Sequence, residues 1–80
     1  MSEKYQQQKR EFLDSLSPDD FRNAATFNQA EIIIDQINKS VIGKKNPDEF
    51  IKKAITHLFR EGSPAVDKAV NLYKTYIETL

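Results

Sequence analysis

A chain of 80 residues, 39% hydrophobic and 30% charged, has material for one core; at this size folding buries only about 60% of the unfolded surface, so every large apolar residue matters. The absence of cysteine excludes a disulfide scaffold and a cysteine-ligated zinc site, and no run approaches the roughly 20 apolar residues of a membrane span. Formal charge sums to zero, which argues against holding nucleic acid through a whole-protein field. The segment MSEKYQQQKREF has no apolar stretch of leader length, so the expectation is a cytoplasmic protein whose single domain spans residues 1–80.

The expected fold class is all-α, a compact bundle of four main helices near 3–16, 27–42, 47–61 and 64–79, with a short helix or turn near 18–24. In the first helix, Tyr5, Phe12, Leu13 and Leu16 recur at helical spacing. Ser17-Pro18-Asp19-Asp20 then reads as a helix start, because a serine oxygen can take an orphan amide while proline at the first position gives up no needed donor. Whether residues 18–42 form one helix or two is left open by the pattern.

Over 27–42, Phe27, Ala30, Ile34, Ile37 and Val41 step by three and four residues and make one seam, with Ile33 on its flank. Ile32 lies roughly opposite, among Asn28, Gln29, Asp35, Gln36 and Lys39. Three readings follow for Ile32: a stray exposed side chain, one packed beneath the N-terminal helix, or a contact with another chain.

Gly43 is placed to close that helix in a left-handed cap, and Asn46-Pro47-Asp48-Glu49 to open the next, with Asn46 capping and Glu49 reaching back. Phe50, Ile51, Ala54, Ile55, Leu58 and Phe59 cover about half of this helix. Gly62 and Ser63-Pro64 repeat the stop and start. The last helix carries Val66, Ala69, Val70, Tyr73, Ile77 and Leu80, widened by Leu72 and Tyr76. The tetrapeptides Pro18-Asp19-Asp20-Phe21 and Pro47-Asp48-Glu49-Phe50 resemble each other, but the match is short and is explained by helix-start chemistry without a duplication.

Catalytic signals are weak. His57 is the only histidine, its neighbours four residues away are Lys53 and Glu61, and no HExxH, GxSxG or phosphate-loop motif occurs. The acid pairs Asp19-Asp20 and Asp48-Glu49 suit the positive ends of helix dipoles and do not have the spacing of a calcium loop. The expectation is a protein that is not an enzyme and needs no cofactor or metal.

Charge is distributed unevenly. Glu11, Asp14, Asp19, Asp20, Glu31 and Asp35 face only Arg22, whereas Lys39, Lys44, Lys45, Lys52, Lys53 and Arg60 follow against Asp48 and Glu49. The favoured function is a non-catalytic interaction module, regulatory, inhibitory or adaptor in kind, that binds a protein partner or associates with itself. Ile32, Leu72, Tyr73, Tyr76 and Leu80 are its candidate contacts, because tyrosine buries area while keeping a polar tip. A wide apolar arc on the last helix is equally what a helix packed on two neighbours requires. The alternative is phosphate contact through Lys39, Lys44, Lys45, Lys52 and Lys53, a salt-sensitive mode without base specificity; among these five no arginine offers bidentate guanine contact and no exposed aromatic is interleaved.

Overall fold

A computed structural model describes residues 3–80; Met1 and Ser2, which open the segment read above for a leader, lie outside the described residues. Four α-helices follow in order: α1 Glu3–Asp14, α2 Ala30–Ser40, α3 Pro47–Leu58 and α4 Ala65–Glu78. Two 3-10 segments, Pro18–Asp20 and Ala24–Gln29, join α1 to α2. The Cα radius of gyration of 11.8 Å is close to the roughly 11.6 Å expected for a fully collapsed chain of this length.

The expected helices form, but each is shorter than its pattern. α1 stops at Asp14 because Ser15 turns back, its hydroxyl donating to the Phe12 carbonyl at 2.7 Å. The 27–42 seam is not all α-helical: Asn23 accepts the Ala25 amide at 3.0 Å and opens a 3-10 run, so Phe27 precedes α2. Residues 18–42 are therefore broken rather than one helix. α3 stops at Leu58 because Phe59 is extended (φ −99°, ψ 157°) and pairs with Phe21 in an isolated antiparallel bridge. Its hydrogen bonds run from the Arg22 amide to the Leu58 carbonyl (3.1 Å) and from the Arg60 amide to the Asp20 carbonyl (2.8 Å).

The punctuation works in part as read. Gly43 and Gly62 both take the left-handed conformation, at φ +84° and +83°. Ser63 accepts the Ala65 amide at 3.1 Å, a cap for α4. Asn46 makes no side-chain cap to α3, contrary to expectation. The two similar tetrapeptides adopt different structures: the first is a 3-10 turn ending in buried Phe21, the second is the first turn of α3 with Phe50 half-buried.

α4 is the hub, packing on α1, α3 and α2 and burying Ala65, Ala69, Leu72, Tyr73, Thr75 and Tyr76. The reading of Ile32 as packed beneath the N-terminal helix is corrected, since Ile32 is exposed. α1 does reach α2, but through Tyr5 and Lys9 to Asp35 and Asn38, on faces of α2 that leave Ile32 outside. Under α3 the aromatic rings chain together: Phe12 to Phe59 at 6.2 Å, Phe59 to Phe21 at 4.8 Å, and Phe21 to Phe27 at 6.1 Å between centroids. Each fully buried phenylalanine contributes about 1.5–3 kcal/mol by removal from water, and the non-helical bridge places Phe21 and Phe59 to do so.

Candidate functional site

Two groups of side chains stand apart from the core: a buried polar cluster between α1 and α2, and a basic, partly apolar corner between α2 and α3.

In the first, the side chain of Lys9 is only 6% exposed. Its ammonium donates to Asp35 Oδ2 at 3.1 Å and Oδ1 at 3.3 Å, and lies 3.4 Å from Glu31 Oε2 and 5.6 Å from the Tyr5 ring centroid. The Tyr5 hydroxyl donates to Asp35 Oδ1 at 2.9 Å and accepts from Asn38 Nδ2 at 3.0 Å. Burial pushes the Tyr5 phenol well above the ordinary tyrosine range; the neighbouring Asp35 carboxylate acts the same way, against the opposing Asn38 donor. No buried side-chain N or O among the described residues lacks a partner, and the charge-paired lysine ties α1 to α2. Its hydrogen bonds and ion pairs run between α1 and α2, so the cluster is read as architecture. Sequence reasoning missed Lys9. The signal was its position, four residues after Tyr5 and three before Phe12, on the inward face.

The second group is built by the end of α2. Val41 anchors the turn in the core, Gly43 reverses the chain, and Pro47 opens α3, so the intervening side chains point to solvent. Lys39, Lys44, Lys45, Lys52 and Lys53 are all exposed, and among the described residues none of the five is in an ion pair. The Lys44 ammonium sits 4.9 Å from the centroid of the Phe50 ring. This supplies the aromatic that the sequence pattern lacked, since Phe50 lines a shallow recess of about 260 Å³ with Lys44, Lys45, Asn46, Glu49 and Lys53. Ile42, on the same turn, is 59% exposed.

Of the apolar contacts expected from sequence, Ile32 (58% exposed), on α2, and Leu80 (70%), two residues beyond the end of α4, do face solvent. Leu72, Tyr73 and Tyr76 do not. They are buried because α4 is the helix on which the others pack: Tyr76 meets Tyr5 edge-on at 5.1 Å, and the Tyr73 hydroxyl donates to Asp48 Oδ1 at 3.0 Å. The Tyr73 phenol is raised, first by burial and then by Asp48. The wide arc therefore serves the bundle, and Asp48 is a hydrogen-bond acceptor as well as a first-turn acid. Ile42 and Ile77 were the exposed apolar residues that the pattern overlooked, Ile42 being counted as the end of a helix that stops at Ser40 and Ile77 as part of the inward stripe of α4.

His57 is exposed beside Glu49, Lys52, Lys53 and Thr56, with no hydrogen-bonded orienting partner among the described residues. Among the described residues no group of three or more His, Asp or Glu side chains could hold a metal ion, and no helix is long and apolar enough to cross a membrane. The chain matches no protein-family model, no curated protein and no solved structure. Its fold and its sites are thus read from its own residues.

Proposed function

We propose that this chain is a small non-catalytic helical module that acts by protein–protein contact, as a regulatory, inhibitory or adaptor element. The observation that carries the reading is the outer side of α2. Ile34 is buried on the inner side, whereas Ile32 in the first turn of α2 and Ile42 in the turn that follows the helix stand 58% and 59% exposed, with exposed Gln36 and Lys39 between them in the chain. Helical phase lines up Ile32, Gln36 and Lys39, and the turn carries the band on to Ile42 and the basic corner. A partner that covers the band gains the apolar transfer energy that folding leaves unused.

The test is the double substitution Ile32→Asp with Ile42→Asp. Because both side chains are more than half exposed, thermal stability should change little, within about 0.5 kcal/mol per site, while a cross-linked partner or a self-associated form seen with the parent chain disappears. Retention of every cross-linked species by the double variant would refute the reading.

Phosphate contact is the second reading, favoured by five exposed lysines that form no ion pair among the described residues and by the Phe50 ring. Sedimentation followed at 260 and 280 nm separates the two readings, because a chain with three tyrosines and no tryptophan absorbs weakly and bound nucleic acid stands out.

A further inference from the structure

We infer that the corner between α2 and α3 is a docking surface for an acidic segment of a partner protein that carries apolar side chains among its carboxylates. The inference rests on the protein-binding reading above and names the chemistry of that partner. Cations and apolar surface are interleaved here. Lys39, Lys44, Lys45 and Lys53 are exposed and, among the described residues, have no carboxylate in an ion pair with them, while Ile42 and the exposed part of Phe50 offer apolar contact on the same turn and the following helix start. The rigid boundaries of the corner, Val41 buried on one side and Ile51 on the other, fix the spacing of these groups before a partner arrives.

Charge complementarity calls for an anion, and the acids of the corner decide which kind. Glu49 lines the recess formed with Lys44, Lys45 and Lys53, and also a neighbouring one with Lys52, Lys53 and His57. A continuous run of phosphates would be driven against that carboxylate. Separate carboxylates on a peptide can straddle it, and their apolar neighbours find Ile42 and Phe50, which a phosphodiester backbone has no use for. This chain's own acidic surface fits the same role less well. Glu11, Asp14 and Asp19 are exposed without a large exposed apolar neighbour, and the acids that do flank exposed apolar residues, Glu31 beside Ile32 and Glu78 beside Ile77, are each already paired with a lysine of the same chain, Lys9 and Lys4, so a second copy would bring its anchors with carboxylates that are engaged.

The experiment is fluorescence anisotropy with a short fluorescein-labelled peptide in which leucines alternate with glutamate pairs. Its comparators are the same peptide with glutamine for glutamate and a labelled DNA duplex of similar charge. Saturable binding of the acidic peptide is expected, weakening as salt rises from about 50 to about 200 mM, with the glutamine peptide at least about tenfold weaker. Lys44→Gln, Lys45→Gln and Lys53→Gln together should lower affinity by about tenfold or more, and Ile42→Ser should lower it with the salt dependence unchanged. Circular dichroism melting of both variants confirms that the exposed substitutions leave the fold in place. Absence of saturable peptide binding, equal binding by the lysine variant, or tighter binding of the duplex overturns the inference. If that happens while the Ile32 and Ile42 double variant still loses a cross-linked partner, only the partner's acidic chemistry is wrong; if the double variant loses nothing, the protein-binding reading fails with it.

Discussion

Replacing Asp35 by asparagine probes the buried cluster most directly. Asparagine keeps an acceptor for the Tyr5 hydroxyl and removes the charge, so the perturbation falls on Lys9. Breaking a buried ion pair from one side costs about 3–5 kcal/mol, since the surviving charge stays desolvated. Here Glu31 remains 3.4 Å from the ammonium, but it is 61% exposed and screened, and Asp35 itself is 24% exposed. We therefore expect a loss of about 2–3 kcal/mol, a large share of the roughly 4–12 kcal/mol available to a domain of this size. At about 4–8 °C per kcal/mol, Tm should fall by roughly 10–20 °C. Urea unfolding followed by circular dichroism at neutral pH gives the number. The double variant Lys9→Met with Asp35→Asn should recover most of the loss, because no buried charge is left behind. A single-variant cost below about 1 kcal/mol, the value of an exposed pair, would refute the reasoning, as would a double variant no more stable than the single one.

Three further outcomes are expected. Tyr5 has its folded pKa above the unfolded value near 10, so the stability it confers is complete below pH ~10 and is lost as pH rises beyond it, by about 1.4 kcal/mol per pH unit. Urea midpoints between pH 9 and 11 (roughly the range around that unfolded value) should fall more steeply for the parent chain than for Tyr5→Phe, and parallel curves would contradict this. Gly43→Ala and Gly62→Ala meet no atom within 4 Å, so each should cost only the left-handed backbone penalty of about 1–2 kcal/mol, read from denaturant midpoints at unchanged m-value. Asp20 accepts from the Ser17 amide at 2.8 Å and from the Ser63 hydroxyl at 3.1 Å, and Asp20→Ala should cost about 1–2 kcal/mol; Ser63→Ala should cost less in that background than alone, because only its cap on the Ala65 amide is then left to lose, and full additivity would show that the Asp20–Ser63 contact is idle.

Helix positions were legible because proline and glycine act locally, and the left-handed Gly43 and Gly62 follow from having no β-carbon. Helix ends were less legible, since they answer to partners distant in the chain: α3 stops where Phe59 leaves the helix to pair with Phe21. The candidate contacts divide on the same principle. Width of an apolar arc does not distinguish a binding face from the face of a central helix, so Tyr73 and Tyr76 were open to both readings until α4 was placed among its neighbours. Lys9, Asn38 and Thr75 were passed over because a polarity pattern counts them as outward, although each falls in the inward phase of its helix. Ile32 was seen because it broke the pattern; Lys9 was not, because it broke the opposite rule.

The Phe21–Phe59 bridge also bears on how the chain assembles and opens. The Arg60 guanidinium adds a third tie, donating to the Phe21 carbonyl at 3.2 Å across a separation of 39 residues. Turns and helices form from near neighbours, whereas joining these two segments must close a long loop before any contact repays it. The strap thus ties together two segments that no local interaction would bring side by side. Its two inter-segment amides, Arg22 and Arg60, should exchange with solvent deuterium as slowly as helix interiors, because releasing them means pulling apart two buried rings.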